Sequence, residues 1–198
     1  MKFNKRNILL GIGISIIPLF LLLLSFYSTL LLTNLSDNQQ LTFDFLDNPT
    51  QYESQLIDHG ATIQEISHMY DVYNIFNITK YIFFALLLVL TLIITYTQKN
   101  KKILQKLFFL GGITSIILPI IVGIIGSISF YKAFSYFHYI FFPQGNWQFS
   151  ETSFLIQTFP LGFFQIIALK IFIFTLFLGS IFIIISLYLK HDIQSKRH

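Results

Sequence analysis

Phe134-Ser-Tyr-Phe-His138-Tyr-Ile-Phe-Phe142-Pro143-Gln-Gly145-Asn146-Trp147-Gln-Phe149-Ser-Glu151-Thr-Ser-Phe-Leu155-Ile156-Gln-Thr-Phe159-Pro160-Leu-Gly162-Phe-Phe164 is apolar and aromatic, yet it does not read as a plain membrane span. Pro143, Gly145, Pro160 and Gly162 punctuate it, and Asn146, Gln148 and Glu151 interrupt it. It holds a lone histidine and the only tryptophan of the chain. Aromatic side chains with a polar edge favour the membrane–water boundary, with one side in lipid and the other wet. The stretch therefore reads as a lid on a bilayer surface, with His138 at its polar opening and a second histidine, His68, beneath it.

The composition sets the class. Hydrophobic residues make up 54% of the 198 positions and charged residues 11%, against roughly 25% charged in a soluble domain. That deficit points to an integral membrane protein. No cysteine is present, which excludes disulfides, a thiolate nucleophile, Cys-ligated metal and lipidation of the chain itself. The net charge of +4 is segregated along the chain, so it does not read as a nucleic-acid surface.

Four apolar runs follow outward from the lid. The first covers 8–32, after Lys2, Lys5 and Arg6. It is longer than the roughly 7–15 apolar residues of a signal peptide and has no small-residue cleavage site. It reads as an uncleaved span, kinked or thinned at Pro18. Residues 33–80 form an acidic, polar segment. Within it Leu41-Thr-Phe43-Asp-Phe45 alternates as a short strand does, with Trp147–Phe149 as its expected pairing partner. Asn48-Pro49 reads as a turn or helix start. Thr62-Ile-Gln-Glu65 is a capping-box pattern. The helix it starts places Glu65, His68, Asp71 and Val72 near one face and runs on into the second span, 81–97.

Lys99, Lys101, Lys102 and Lys106 flank an inner loop at 98–103. The third span is 104–128, with Gly111, Gly112, Gly123 and Gly126 giving it a small-residue side for close helix approach. The lid segment covers 129–162, the fourth span 163–189, and a tail 190–198. Lys2, Lys5, Arg6, the lysines of 98–106, Lys190, Lys196 and Arg197 share one side, which the positive-inside rule makes cytoplasmic. Lys80, Lys132 and Lys170 are the exceptions and snorkel to the outer headgroups. Both termini are then inside, and His68 and His138 are outside. Four spans of roughly 20 residues match an ~30 Å hydrocarbon core. The expected fold is an all-α four-helix membrane bundle forming one domain, with a small extracellular cap.

Few residues could carry chemistry. His68, with Asp71 one turn on, fits a general base and its orienting acid, or an ordinary interfacial histidine beside a carboxylate. His138 among aromatics is costly unless paired or wet, and polar groups at such depth are functional candidates. Trp147 fits an interface anchor that also walls a lipid-chain site. His59 lies in a turn-like Asp58-His-Gly, and His191 and His198 lie in the tail. A metal held by His59, His68, His138 and Asp71 lacks H-E-x-x-H or close His-pair spacing, so no metal or other cofactor is expected. Ser67 and Ser135 are possible nucleophiles. However, adjacent helical residues diverge and no G-x-S-x-G is present.

Two blocks then add a family. Glu65-Ile-Ser-His68-Met69-x-Asp71-Val72 is followed by Phe137-His138-x-x-Phe141-Phe142-x-x-Gly145-x-Trp147-x-Phe149 and Leu155-Ile156-x-x-x-Pro160-x-x-Phe163-Phe164. Together, and with the order of spans and loops over nearly the whole chain, they resemble the lipoprotein intramolecular transacylases (Lit) of Gram-positive bacteria. The resemblance implies an acyltransferase that moves the sn-2 acyl chain of an S-diacylglyceryl-cysteine to its α-amine, giving an N-acyl S-monoacylglyceryl, lyso-form lipoprotein. It implies His68 and His138 as the two catalytic histidines, to which the local spacing adds Asp71 as the group orienting His68.

His68 is then the expected base and His138 the partner at the oxyanion or leaving alkoxide, the two roles being exchangeable. Trp147, Phe141, Phe142, Met69 and Tyr70 are the expected substrate contacts. A diacylglyceryl lipoprotein and membrane lipids are the expected partners, with no nucleic acid and a monomer favoured. The rival readings are a metal-dependent outer-face lipid or peptide hydrolase and a non-catalytic accessory subunit.

Overall fold

A computed structural model describes residues 5–196 of the chain. Lys2, Arg197 and His198, which entered the topology above, lie outside the described residues. Eight helices and no strand occur among those described: α1 (Lys5–Leu31), α2 (Asp37–Asp47), α3 (Pro49–Asp58), α4 (Ile63–Thr97), α5 (Lys101–Ile128), α6 (Phe130–Phe141), α7 (Phe154–Thr158) and α8 (Leu161–Ser195). The helices α1, α4, α5 and α8 are each long and apolar enough to cross a membrane. Backbone groups in hydrocarbon must bond within the segment, which is why uninterrupted apolar runs become helices. The chain is an all-α integral membrane protein.

The chain divides into two compact units. The first contains α1, α4 from Ile82 on, α5 to Ile124, and α8 from Leu169 on. Its centre is Ile17, Leu21, Leu90, Ile93 and Leu107. Outward positions such as Leu88, Val122 and Phe177 stay exposed, as lipid-facing side chains should. Buried hydroxyls close on their own helices: Ser25 donates to the Leu21 carbonyl and Ser115 to that of Gly111, each at 2.7 Å.

The glycines of α5 divide their contacts between two helices. A Cβ on Gly111 would meet Ile17 of α1 at 2.5 Å, and one on Gly112 would meet the Gly179 carbonyl of α8 at 2.8 Å. Neighbours on a helix point about 100° apart, so the pair serves two partners rather than one small-residue side. Gly126 faces open space, so that expectation fails there.

The second unit contains residues 32–81 and 125–168. Its core is Phe45, Leu46, Leu56, Ala61, Ile66, Met69, Phe154 and Leu155. The strand expected at Leu41–Phe45 is instead the middle of α2, and Trp147–Phe149 is irregular, so the expected pairing does not exist. Apolar side chains at 41, 43 and 45 alternate, but the buried positions are Thr42, Phe45 and Leu46, spaced three and four apart. The Gln39 side chain accepts from the Ser36 amide at 3.1 Å and caps the helix start. Pro49 opens α3 at its first turn. Gly60, at φ +98°, closes α3 behind His59.

The helix α4 begins as the sequence predicts. The Thr62 amide and hydroxyl donate to Glu65 at 2.9 and 2.8 Å, and the Glu65 amide donates back to Thr62 Oγ1 at 3.3 Å. Glu65 also accepts from the Leu155 amide of α7 at 2.7 Å and is buried. One carboxylate therefore caps α4 and anchors the segment after the turn at Pro143. Gln39 Nε2 fastens the other end of α7 through the Thr158 carbonyl, at 2.8 Å.

Candidate active site

The second unit brings His68 and His138 together. Their ring centroids are 6.2 Å apart and their planes differ by 29°. His68 sits in the second turn of α4, ahead of the apolar run from Tyr81, and His138 in the last turn of α6; both are buried. Ser129 starts α6 by accepting from the Lys132 amide at 3.3 Å. The turn at Phe142–Gly145 then reverses the chain, with the Gly145 amide donating to the Phe142 carbonyl at 3.1 Å.

Aromatic rings enclose both imidazoles. Phe142 meets His68 edge-on at 4.7 Å and His138 at 5.4 Å. Trp147 lies 4.8 Å from His138, and Phe149 lies 5.7 Å from His68. These rings exclude water from the imidazoles, and burial disfavours the charged form. Burial pushes His68 from its usual 6.5 down to about 4, with His138 adding to the fall and Asp71 and Asn146 opposing it. Burial lowers His138 as well, opposed by its bond to the Phe134 backbone. Both shifts favour the neutral imidazole near pH 7.

The tautomer of His138 is fixed by its own helix. Nδ1 lies 2.8 Å from the Phe134 carbonyl, which can only accept, so Nδ1 carries the hydrogen. The lone pair of neutral His138 is then on Nε2.

Asp71 does not hydrogen-bond the His68 ring. Its Oδ2 accepts from Gln144 Nε2 at 2.6 Å and from Asn146 Nδ2 at 2.7 Å. Asp71 thus holds the turn that carries Asn146 beside His68, and acts on the imidazole through its charge. Asn146 Oδ1 and His68 Nδ1 are both buried without a hydrogen-bond partner, as is Trp147 Nε1. Buried polar groups are satisfied in folded proteins far more often than not. These polar atoms lie on and beside the two imidazoles, and Asn146 is close enough to His68 to favour its charged form.

The other expected contacts divide. Phe142 touches both histidines, but Phe141 is 48% exposed and packs at a tilt on Phe137, 4.6 Å away. Met69 is part of the packing core, and Tyr70 donates to Glu53 at 2.6 Å while meeting Phe45. Consecutive helical positions diverge, so His68 faces His138, Phe142 and Phe149 while Met69 and Tyr70 face α2 and α3. Ser67 is exposed, and Ser135 donates to the Tyr131 carbonyl at 2.9 Å. His59 Nδ1 bonds the Gln55 carbonyl of its own helix at 2.8 Å. Among the described residues no three His, Asp or Glu side chains converge as metal ligands.

Sequence reading missed Asn146, Gln144, Phe149 and the Glu65–Leu155 link. A signal existed for the first two: Pro143-Gln-Gly145-Asn146 places amides around a turn inside an aromatic stretch.

The family model for lipoprotein intramolecular transacylase Lit matches residues 16–164. No curated protein matches the chain. Among solved structures, the membrane integral lipoprotein intramolecular transacylase Lit from Bacillus cereus is 21% identical over 97% of each chain, with a TM-score of 0.74. Two of its single-histidine variants match at 20% identity over 97% of this chain and 95% of theirs. The arginine variant has a TM-score of 0.72 and the alanine variant 0.70.

Proposed function

Because the chain belongs to the lipoprotein intramolecular transacylase (Lit) family, acyltransferases of lipoprotein maturation, we propose that His68 and His138 perform the transfer between the lid and α4. The substrate would be a lipoprotein whose N-terminal cysteine carries a diacylglyceryl thioether and a free α-amine. The sn-2 acyl chain moves from the glyceryl oxygen to that amine, leaving an N-acyl S-monoacylglyceryl product.

The observation that carries this reading is the pairing of two neutral imidazoles, 6.2 Å apart, inside an aromatic enclosure. An α-amine has a pKa of about 7.7–8.0, so part of it is already nucleophilic near pH 7. Its attack on the ester carbonyl needs one proton acceptor, and the departing glyceryl alkoxide needs one proton. A single imidazole can take the first and return it to the second.

His138 suits that shuttle. Its Nδ1 hydrogen is committed to the Phe134 carbonyl, which leaves Nε2 to receive the amine proton and deliver it to the alkoxide. The growing imidazolium is supported by that same backbone carbonyl. His68, held near 4 by burial and by His138, is a poor proton acceptor near pH 7 and serves better as a neutral N–H donor to the developing oxyanion. This exchanges the roles expected from the local His68–Asp71 pattern. Asp71 acts through Asn146, fixing the amide at the face of His68.

Nucleophile and ester are in one molecule. Well-oriented intramolecular reactions reach effective molarities of about 10⁵–10⁸ M, so folding the substrate into the reactive pose is much of the task. Phe142, Trp147 and Phe149 would hold the glyceryl and acyl portions there. By the positive-inside rule the basic residues of 98–106 and of the tail would face the cytoplasm, and the histidines would then be on the outer face. Expression in a host that carries diacyl lipoproteins, followed by mass spectrometry of their N-terminal peptides, tests the reading. Lyso-form peptides support it, and unchanged diacyl peptides overturn it.

A further inference from the structure

We propose that a basic cavity in the first unit binds the phosphate headgroup of an anionic phospholipid. The cavity has a volume of about 700 Å³ and is formed by the end of α4, the start of α5, the end of α8 and Arg6 of α1. Five cationic side chains line it: Arg6, Lys99, Lys101, Lys102 and Lys196. Among the described lining residues Asp192 is the one carboxylate. It pairs with Lys101 and, at 3.5 Å, with Lys196.

Positive-inside charge explains lysines at this end of the helices, but not their convergence on a hollow. Cations brought together repel, and a concave wall strengthens the field inside it. Asp192 pairs with Lys101 and Lys196, which leaves the Lys99 and Lys102 charges without a carboxylate partner among the described residues. A second anion inside the cavity would offset the remainder. Asn100 Oδ1 caps α5 by accepting from the Ile103 amide at 3.3 Å. The positive end of that 28-residue helix thus adds to the lysine field.

The wall also says which anion fits. Tyr96, Ile103 and Ile193 share the lining with the lysines. Just along α4 and α8, Leu92, Leu187 and Tyr188 are exposed at 60, 52 and 73%. A headgroup in the cavity would place its acyl chains on those apolar flanks. A soluble phosphate would leave them bare. Basic pockets where transmembrane helices end are where lipid phosphates are held.

The test uses the purified full chain in a neutral detergent. Thermal unfolding is followed during titration with short-chain phosphatidylglycerol, phosphatidylcholine or inorganic phosphate. Phosphatidylglycerol should raise the midpoint saturably, with the other two giving no shift at the same concentrations. Lys99→Gln with Lys102→Gln should weaken the apparent Kd about 30-fold, taking about 1 kcal/mol for each cation near a lipid surface. Lys99→Arg with Lys102→Arg should restore it, and the glutamine pair should keep its transacylase activity in phosphatidylcholine. An equal shift from inorganic phosphate would overturn the lipid assignment. A phosphatidylglycerol shift that is absent in the parent chain, or unchanged in the glutamine pair, would overturn the site.

Discussion

Asn146 donates to Asp71 at 2.7 Å with its amide nitrogen and leaves its amide oxygen buried and unpaired. Beside it stands His68, whose Nδ1 is equally unpaired. The carboxylate expected to orient His68 directly orients the side chain next to it. Asn146→Ala should therefore lower kcat by roughly ten- to a hundred-fold with little change in KM, because misplacement by about 1 Å can cost 10²-fold. Asp71→Asn should fall in the same direction and less far, since both donors share Oδ2 and an amide oxygen there can still accept from them, without the charge. Steady-state kinetics on a synthetic diacylglyceryl peptide check both, and wild-type kcat in Asn146→Ala would remove the Asp71–Asn146 contact from the account.

Gly145 has a φ of +77° between the two residues that reach Asp71. A side chain there costs about 1–2 kcal/mol in the left-handed region. Nothing within 4 Å opposes an added Cβ, so the strain is in the backbone alone. Gly145→Ala should lose activity much as Asn146→Ala does, while Gly145→Asn, better tolerated at positive φ, should keep more. Comparison of the two variants separates backbone strain from crowding.

Glu65 joins α4 to α7 through the amides of Thr62 and Leu155. Glu65→Gln keeps one acceptor oxygen but sets an NH₂ against one of those donors. An unsatisfied buried donor costs roughly 1–3 kcal/mol. The unfolding midpoint in detergent should fall accordingly, and Glu65→Leu should fall further because both amides lose their acceptor. An unchanged midpoint in both variants would mean that the link carries no stability.

His68 should make stability fall in acid. Its folded pKa of about 4 lies below the ordinary 6.5, so between these values the unfolded chain binds the extra proton. Its contribution is complete above about 6.5 and is lost as pH falls toward 4, amounting to about 3 kcal/mol at most. Denaturation at pH 7.5 and pH 4.5 should show a smaller difference in His68→Gln than in the parent chain. An equal difference would place the acid sensitivity elsewhere.

Much of this was legible in the sequence. Four apolar runs become four long helices because length and apolarity alone decide whether a segment can satisfy its backbone in lipid. Thr62 and Glu65 announced the start of α4, and the link to Leu155 was hidden because a capping pattern says nothing of a third donor far along the chain. The alternation at Leu41–Phe45 misled because Thr42, not an apolar residue, fills a buried position of α2. Two histidines in polar and aromatic settings were visible as candidates. Which neighbour touched which ring depended on the reversal at Pro143–Gly145, so Asn146 was missed, and Met69 and Tyr70, expected at the substrate, pack toward α2 and α3.

The central claim is that His138 carries one proton from an amine to an alkoxide while His68 donates an N–H to the developing oxyanion. Its most direct test is mass spectrometry of the N-terminal peptide after incubating diacylglyceryl lipoprotein with purified His68→Ala and His138→Ala, each shown to be folded by its unfolding midpoint. The account predicts no lyso-form peptide from His138→Ala and only trace product from His68→Ala. Product at the parent level from either variant would contradict it.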